Sequence, residues 1–440
     1  MRALIYFFFA VAVAGFGVER KCSYPLIRQK ECRIHGCSDT NLFSTHSEDE
    51  ETPIQVRCTS FRLPLDNELN TMYRRRKFIP GRTKVSLEDD SELLFEYEYN
   101  QLNIEAKDKV EDIPIKAIIL IQPIGVGIGR WYYDRLLHEF QVSQKDYKSE
   151  VILVAPDLLG CGTACSPMMV SSKNDAPRIL EKLPLLQVKD WSSQILDLMQ
   201  KIESENTNDV EFCIISNGGC VPIALDVVGK LRHERNQLKG KLTHLIFSAT
   251  PSISSLLKPK DNEKVAKSYR TLSGTVGNLF WWYALRKEGK FLQSFSEKNL
   301  ASKPENLGEN WRPQCFQTAR ANEGKSRYST FAFLAGALNG GCTDILEELK
   351  SQNEIKVDII TGGDKRENKA RSWFWQRTPK AKKVQDEDTV DEGKEETTLV
   401  TYFNDNDSSF VQEIFTGGRR CPAHEDSKGF ITAIESLFLQ

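Results

Sequence analysis

The chain has 440 residues, 40% of them apolar and 27% charged, with a formal net charge of −2. That is long and apolar enough for one large globular domain with extensions, or for two or three small ones. The near-neutral charge, with no Lys/Arg run interleaved with aromatics, gives no reason to expect nucleic acid or an anionic membrane as a partner.

The first fifteen residues, "MRALIYFFFAVAVAG", place one early Arg before an apolar run that ends in "AVA" at Ala14. They read as a secretory signal cleaved near Ala14 or Gly15, or else as an N-terminal hydrophobic anchor; the run is too short for a transmembrane helix. The Phe16 that follows opens a mildly basic stretch with Arg20, Lys21, Arg28, Lys30 and Arg33. It resembles the signal-plus-transit leaders of algae with secondary plastids, and that resemblance implies a plastid destination. A secreted or endomembrane-lumen protein is the alternative. Eleven cysteines, an odd number without a regular framework, fit a reducing interior better than the outside of a cell.

Residues 16–75 show no sustained periodicity, carry the acidic patch "SEDEE" at 47–51, and read as leader and linker. The main domain is expected over 76–440. It begins with a hairpin in "RTKVSLEDDSELLFEYEYN", two alternating runs around Asp89-Asp90. Short apolar runs follow: "AIILI" (117–121), "VILVAP" (151–156), "FCIIS" (212–216), "LIFSA" (245–249), "VDIITGG" (357–363) and "LVTYF" (399–403). Helical spacing lies between most of them, as in Val188, Trp191, Ile195, Leu198 and Ile202. Strand alternating with helix predicts a mostly parallel sheet covered on both faces. A mainly helical insertion at about 252–350 reads as a cap over the strand ends. The charged run at about 376–398 reads as a solvated loop.

In chain order, the hairpin, "IQPIGVG", "APDLLGCGTACSP", "ISNGGCVPIAL" and a late acid and His region resemble the α/β-hydrolase fold over roughly residues 80–440. The altered motifs are also similar to a group of plant and algal plastid hydrolase-like proteins. The resemblance implies a nucleophile elbow, an acid and a base. Ser216 in "ISNGG" is the candidate nucleophile, with Ile214 where the first glycine of G-x-S-x-G belongs; its other reading is a serine capping a tight strand-to-helix turn.

Asn217 and Ile124 are the candidate backbone donors of an oxyanion hole, although Gln122-Pro123 stands where a His-Gly step is usual. "GVGIG" at 125–129 also suggests a dinucleotide loop, but its third glycine would be Arg130. Asp364 in "TGGDKR" is the expected acid, or a turn aspartate after two glycines.

His424 is the expected base, or the start of the last helix. Gly418 is followed by Arg419, and an arginine cannot take a serine proton.

Phe280, Trp281, Trp282 and Tyr283 in the cap suggest a bulky apolar substrate, or pack as its core; Trp281 and Trp282 are the candidate substrate contacts. Two functions follow. One is a serine esterase cleaving a lipid, pigment or terpenoid ester through an acyl-enzyme. The other is an inactive hydrolase-fold protein that binds a small apolar ligand or a protein partner, with Arg419 or Arg420 available for a carboxylate. No cofactor and no metal site are expected, and the oligomeric state is open.

Overall fold

Five of the six apolar runs fold as parallel strands at the centre of one sheet. A computed structural model describes residues 54–64, 92–107, 113–143, 145–162, 168–171, 174–179, 183–233, 238–351, 354–363, 398–404 and 411–439. The leader at 1–15, the acidic patch, the first run of the expected hairpin, Asp364 and the charged loop at 376–398, save Thr398, lie outside the described residues.

The strands are β1 (Gln55–Pro64), β2 (Glu92–Ile104), β3 (Ile115–Ile121), β4 (Val151–Pro156), β5 (Met168–Ser171), β6 (Asn174–Ile179), β7 (Val210–Asn217), β8 (Lys241–Ser248), β9 (Lys356–Gly362) and β10 (Gln412–Thr416). Their order across the sheet is β10-β9-β8-β7-β3-β4-β2-β5-β6, with β1 on β2. From β4 to β10 all neighbours are parallel, while β2 runs antiparallel to β4, β1 and β5. After β4 the chain crosses back to the far side of β3 to form β7. The crevice between β3 and β7 at their carboxyl ends is therefore the switch point where such sheets bind ligands.

Helices α1 (Asp134–Ser143), α2 (Val188–Glu205) and α3 (Val221–His233) connect the central strands. The helix expected at 188–203 is present, and Trp191, Ile195, Leu198 and Ile202 form its buried stripe. Between β8 and β9 lies the expected cap. Its helices are α4 (Ile253–Leu257), α5 (Asn262–Leu272), α6 (Thr275–Ala284), α7 (Arg286–Asn299), α8 (Trp311–Gly324), α9 (Arg327–Ala335) and α10 (Thr343–Ser351).

Two expectations fail, each for a local reason. Residues 55–64, taken as linker, are a strand in full register with β2, from Gln55 opposite Gln101 to Pro64 opposite Glu92. Among its described side chains only Phe61 and Leu63 are buried, so its apolar signal is faint. "LVTYF" is helix α11 (Leu399–Asn404), not a strand. The Thr398 hydroxyl accepts from the Thr401 backbone N–H, and Leu399 and Phe403, four apart, share the buried face. The final strand is the less apolar "QEIFT" of β10, an edge strand with little to bury. After it come α12 (Pro422–Glu425) and α13 (Ser427–Ile434).

A candidate ligand site at the strand ends

The sharp turn between β7 and α3 is centred on Gly218. Its φ is +59°, whereas Asn217 before it has an extended φ of −102° and Val221 after it is already helical at −47°. In a nucleophile elbow the strained apex is the residue that presents the reactive side chain. Here the apex has none. Ser216 lies two residues earlier, within β7, paired with Ile121 on one side and Phe247 on the other. It is fully buried, and its Oγ has no hydrogen-bond partner. The motif sits two residues later than expected. Ser216-Asn217-Gly218-Gly219-Cys220 places small buried residues where the flanking glycines belong and glycine where the nucleophile belongs.

The expected base is committed elsewhere. His424, on α12, is 4% exposed and lies with its ring edge-on to Trp311 at 4.7 Å and stacked near Tyr132 at 6.0 Å. Its Nε2 is 3.1 Å from the Leu307 carbonyl oxygen and its Nδ1 3.4 Å from that of Tyr132. Burial, aided by the Arg135 charge, lowers its pKa to about 4, so at neutral pH the ring carries one N–H. Both neighbours are acceptors. The shorter contact takes the proton, leaving Nε2 donating to Leu307 and the Nδ1 lone pair against a carbonyl.

The surrounding loop holds this pose. Glu425 accepts from Arg419 N and Ser302 N, and Asp426 accepts from Gly417 N and Gly429 N. The Arg419 side chain donates to the Lys298 carbonyl at 3.2 Å.

The oxyanion donors shift with the apex. Asn217 belongs to the strand ladder, opposite Ser248, and the residue after the apex is Gly219. A Cβ on Gly219 would meet the Phe333 ring at 2.5 Å, because the cap lies directly on this turn. Burial holds the Cys220 thiol, just past the apex, up at about 12 and so keeps it protonated. The cap also grips the loop after β3. Thr330 Oγ1 donates to the Gly125 carbonyl at 3.1 Å, and the Cys315 carbonyl fills the place a Cβ on Gly127 would need.

Trp281 is fully buried against Phe331 inside the cap, and Trp282 is 48% exposed, so the cap gives the two expected substrate contacts other surroundings.

A different group of polar residues lies at these strand ends. Asn217 and Ser248 are register partners at the ends of β7 and β8, and Gln122 directly follows Ile121, the register partner of Ser216. Asn217 Nδ2 donates to Tyr132 Oη at 3.2 Å and lies 3.5 Å from Ser248 Oγ. Gln122 is fully buried, yet neither its Oε1 nor its Nε2 has a partner. Leaving both ends of a buried amide unpaired is costly, so such a group marks a place for a water or ligand. Among the described residues, a Cβ placed on Gly218 would find only the Ala249 carbonyl oxygen within 4 Å, at 3.8 Å. There is therefore room for a side chain at the apex. Gln122 was visible in the sequence only as the replacement for a His-Gly step, and Tyr132 and Ser248 carried no local signal.

No family model and no curated protein matches the chain. Solved structures do resemble it. The peroxisomal α/β-hydrolase Lpx1 of Saccharomyces cerevisiae is 10% identical, with a TM-score of 0.47, covering 87% of this chain and 88% of its own. The Cif epoxide hydrolase from Acinetobacter nosocomialis is 13% identical at 0.45, covering 84% and 95%. A thermophilic esterase from Thermogutta terrifontis is 13% identical at 0.41, covering 78% and 93%. The scaffold is an α/β-hydrolase fold. Strand order, the antiparallel β2, the elbow and the cap after β8 are the features of this chain that carry that statement. Among the described residues no group of three or more His, Cys, Asp or Glu is placed to hold a metal ion.

Proposed function

We propose that this chain uses the hydrolase scaffold as a binding protein without acyl-transfer chemistry. It holds an apolar small molecule by one hydrogen-bonding group at the strand ends. The observation that carries this reading is Gly218 at the elbow apex, where a hydrolase needs a nucleophile. The ligand's hydroxyl, carboxyl or amide group pairs with the Gln122 side chain beside Asn217, in the space above Gly218. Its apolar body packs under Phe333 of the cap. The esterase reading would need Ser216 to leave the strand and His424 to give up the Leu307 carbonyl, two rearrangements with nothing in the site to drive them.

The test has two parts. The full chain treated with a fluorophosphonate is expected to gain no adduct by intact mass. An adduct on Ser216, absent in both Ser216→Ala and His424→Ala, would overturn the proposal in favour of an esterase. Native mass spectrometry of the purified protein is expected to show a bound small molecule, with its occupancy strongly reduced in Gln122→Met.

A further inference from the structure

One face of the cap presents large apolar side chains to solvent. Helices α6 and α7 form a hairpin turned at Lys287, Glu288 and Gly289, all with positive φ. Trp281 and Ala284 on α6 point inward. The other side of the hairpin exposes Val276 at 48%, Leu279 at 67%, Trp282 at 48% and Phe291 at 40%. A solvated helix keeps its charges on its outer face. This one has none, because the sequence is uncharged from Thr271 to Leu285.

The flanks are one-signed. From Lys264 to Lys287 there are five cations, Lys264, Lys267, Arg270, Arg286 and Lys287, and no Asp or Glu. All five are exposed, and none forms an ion pair with a carboxylate of the described residues. Arg286 lies over the Tyr283 ring at 5.4 Å, and Tyr283 meets Phe291 at 5.9 Å, so the apolar face and its cationic rim are continuous. Glu263 and Glu288 bound the basic run on either side.

We propose that this hairpin docks the protein on the surface of an anionic lipid bilayer. Leu279, Trp282 and Phe291 enter the boundary between headgroups and acyl chains, and the five cations meet lipid phosphate and carboxylate groups. An uncharged helix with aromatic residues, bracketed by Lys and Arg, matches an interface that is apolar below and anionic above. At ten residues α6 reaches about 15 Å, half the hydrocarbon thickness, so it lies in the surface without crossing it. The inference is independent of whether the strand ends bind a ligand.

Amide hydrogen exchange of the full chain, read peptide by peptide, tests it without confusion from the apolar N-terminus. Vesicles of phosphatidylcholine with about 30% phosphatidylserine are expected to slow exchange over 275–291 severalfold, and pure phosphatidylcholine much less. Leu279→Ser with Trp282→Ala is expected to abolish that protection. Arg286→Glu with Lys287→Glu, at exposed sites, is expected to weaken it about tenfold or more in apparent affinity. Unchanged exchange over 275–291 with anionic vesicles, or protection that survives both double variants, would overturn the proposal. So would protection conferred only by a protein partner.

Discussion

Two buried polar clusters sit side by side at the carboxyl ends of the central strands, and they differ in how completely they are paired. Beyond β3 and β4, Arg130 donates to Glu98 at 2.5 Å and to Asp157 at 3.1 Å, and its Nε donates to Asn100. Asp157 also accepts the Arg130 backbone N–H at 2.7 Å, and Asn100 passes the chain on to Asp134 at 2.8 Å. Between β3 and β7, Gln122 and Ser216 are equally buried and have nothing. A cluster that pairs its own groups holds loops in place. One that leaves groups unpaired has hydrogen-bonding capacity to spare, which the proposed ligand would use.

The largest effect is expected where pairing is complete. Asp157→Ala leaves the half-buried Arg130 guanidinium with part of its pairing gone and is expected to cost up to about 3–5 kcal/mol in urea unfolding. Gly162, at φ +75°, sits where a Cβ would overlap the Asp157 carboxylate at 1.9 Å, so Gly162→Ala is expected to be severe as well. If Asp157→Ala costs less than about 1 kcal/mol, the network is not structural and the contrast fails.

A pH series sharpens the same cluster. Burial raises the Asp134 pKa to about 7, with the Asp157 charge adding to the shift and Arg130 opposing it. The folded state thus holds this proton more tightly than the unfolded chain, where the ordinary carboxyl value is about 3.9. Stability from protonated Asp134 is complete below pH 4 and is lost as pH rises to 7. Asp134→Asn is expected to flatten that slope in unfolding midpoints measured from pH 4 to 8. His424 acts in the opposite direction, since its lowered pKa contributes stability above pH 6.5 that is lost as pH falls to about 4. The Asp134 contribution is read as the difference from the variant, not from the wild-type curve alone.

Gln122 breaks the tie between an orphaned group and a ligand-bearing one. Gln122→Met removes two unpaired polar atoms at similar volume and is expected to stabilise the ligand-free protein by about 1–3 kcal/mol. The same variant is expected to lose the thermal shift that bound ligand gives the wild type. A destabilised Gln122→Met without any ligand present would mean the amide is paired after all.

How much was legible follows from what each residue reports to its neighbours in sequence. The central strands β3, β4, β7, β8 and β9 announced themselves as apolar runs because both sheet faces are covered there. The edge strands β1 and β10 bury few side chains and gave no such signal. At the elbow, composition located the turn but not its register, since Ser216-Asn217-Gly218-Gly219-Cys220 is small throughout and only a backbone angle distinguishes the apex. His424 fell in the expected place in chain order, but its hydrogen bonds to Leu307 and Tyr132 come from distant segments. The net charge of −2 likewise averaged away the cationic run around α6.

The smallest effects fix that register. Ser216→Ala deletes an unpartnered hydroxyl from a buried strand and is expected to be neutral or stabilising by up to about 1 kcal/mol. Gly218→Ala meets open space, its Cβ 3.8 Å from the nearest atom, so any cost must come from the backbone. Holding an L-residue at positive φ is expected to cost about 1–2 kcal/mol. Opposite signs for the pair place the strain at Gly218, where no side chain can attack a substrate. If Ser216→Ala is the damaging substitution and Gly218→Ala is silent, the apex lies at Ser216, and the esterase reading regains the nucleophile it lacks.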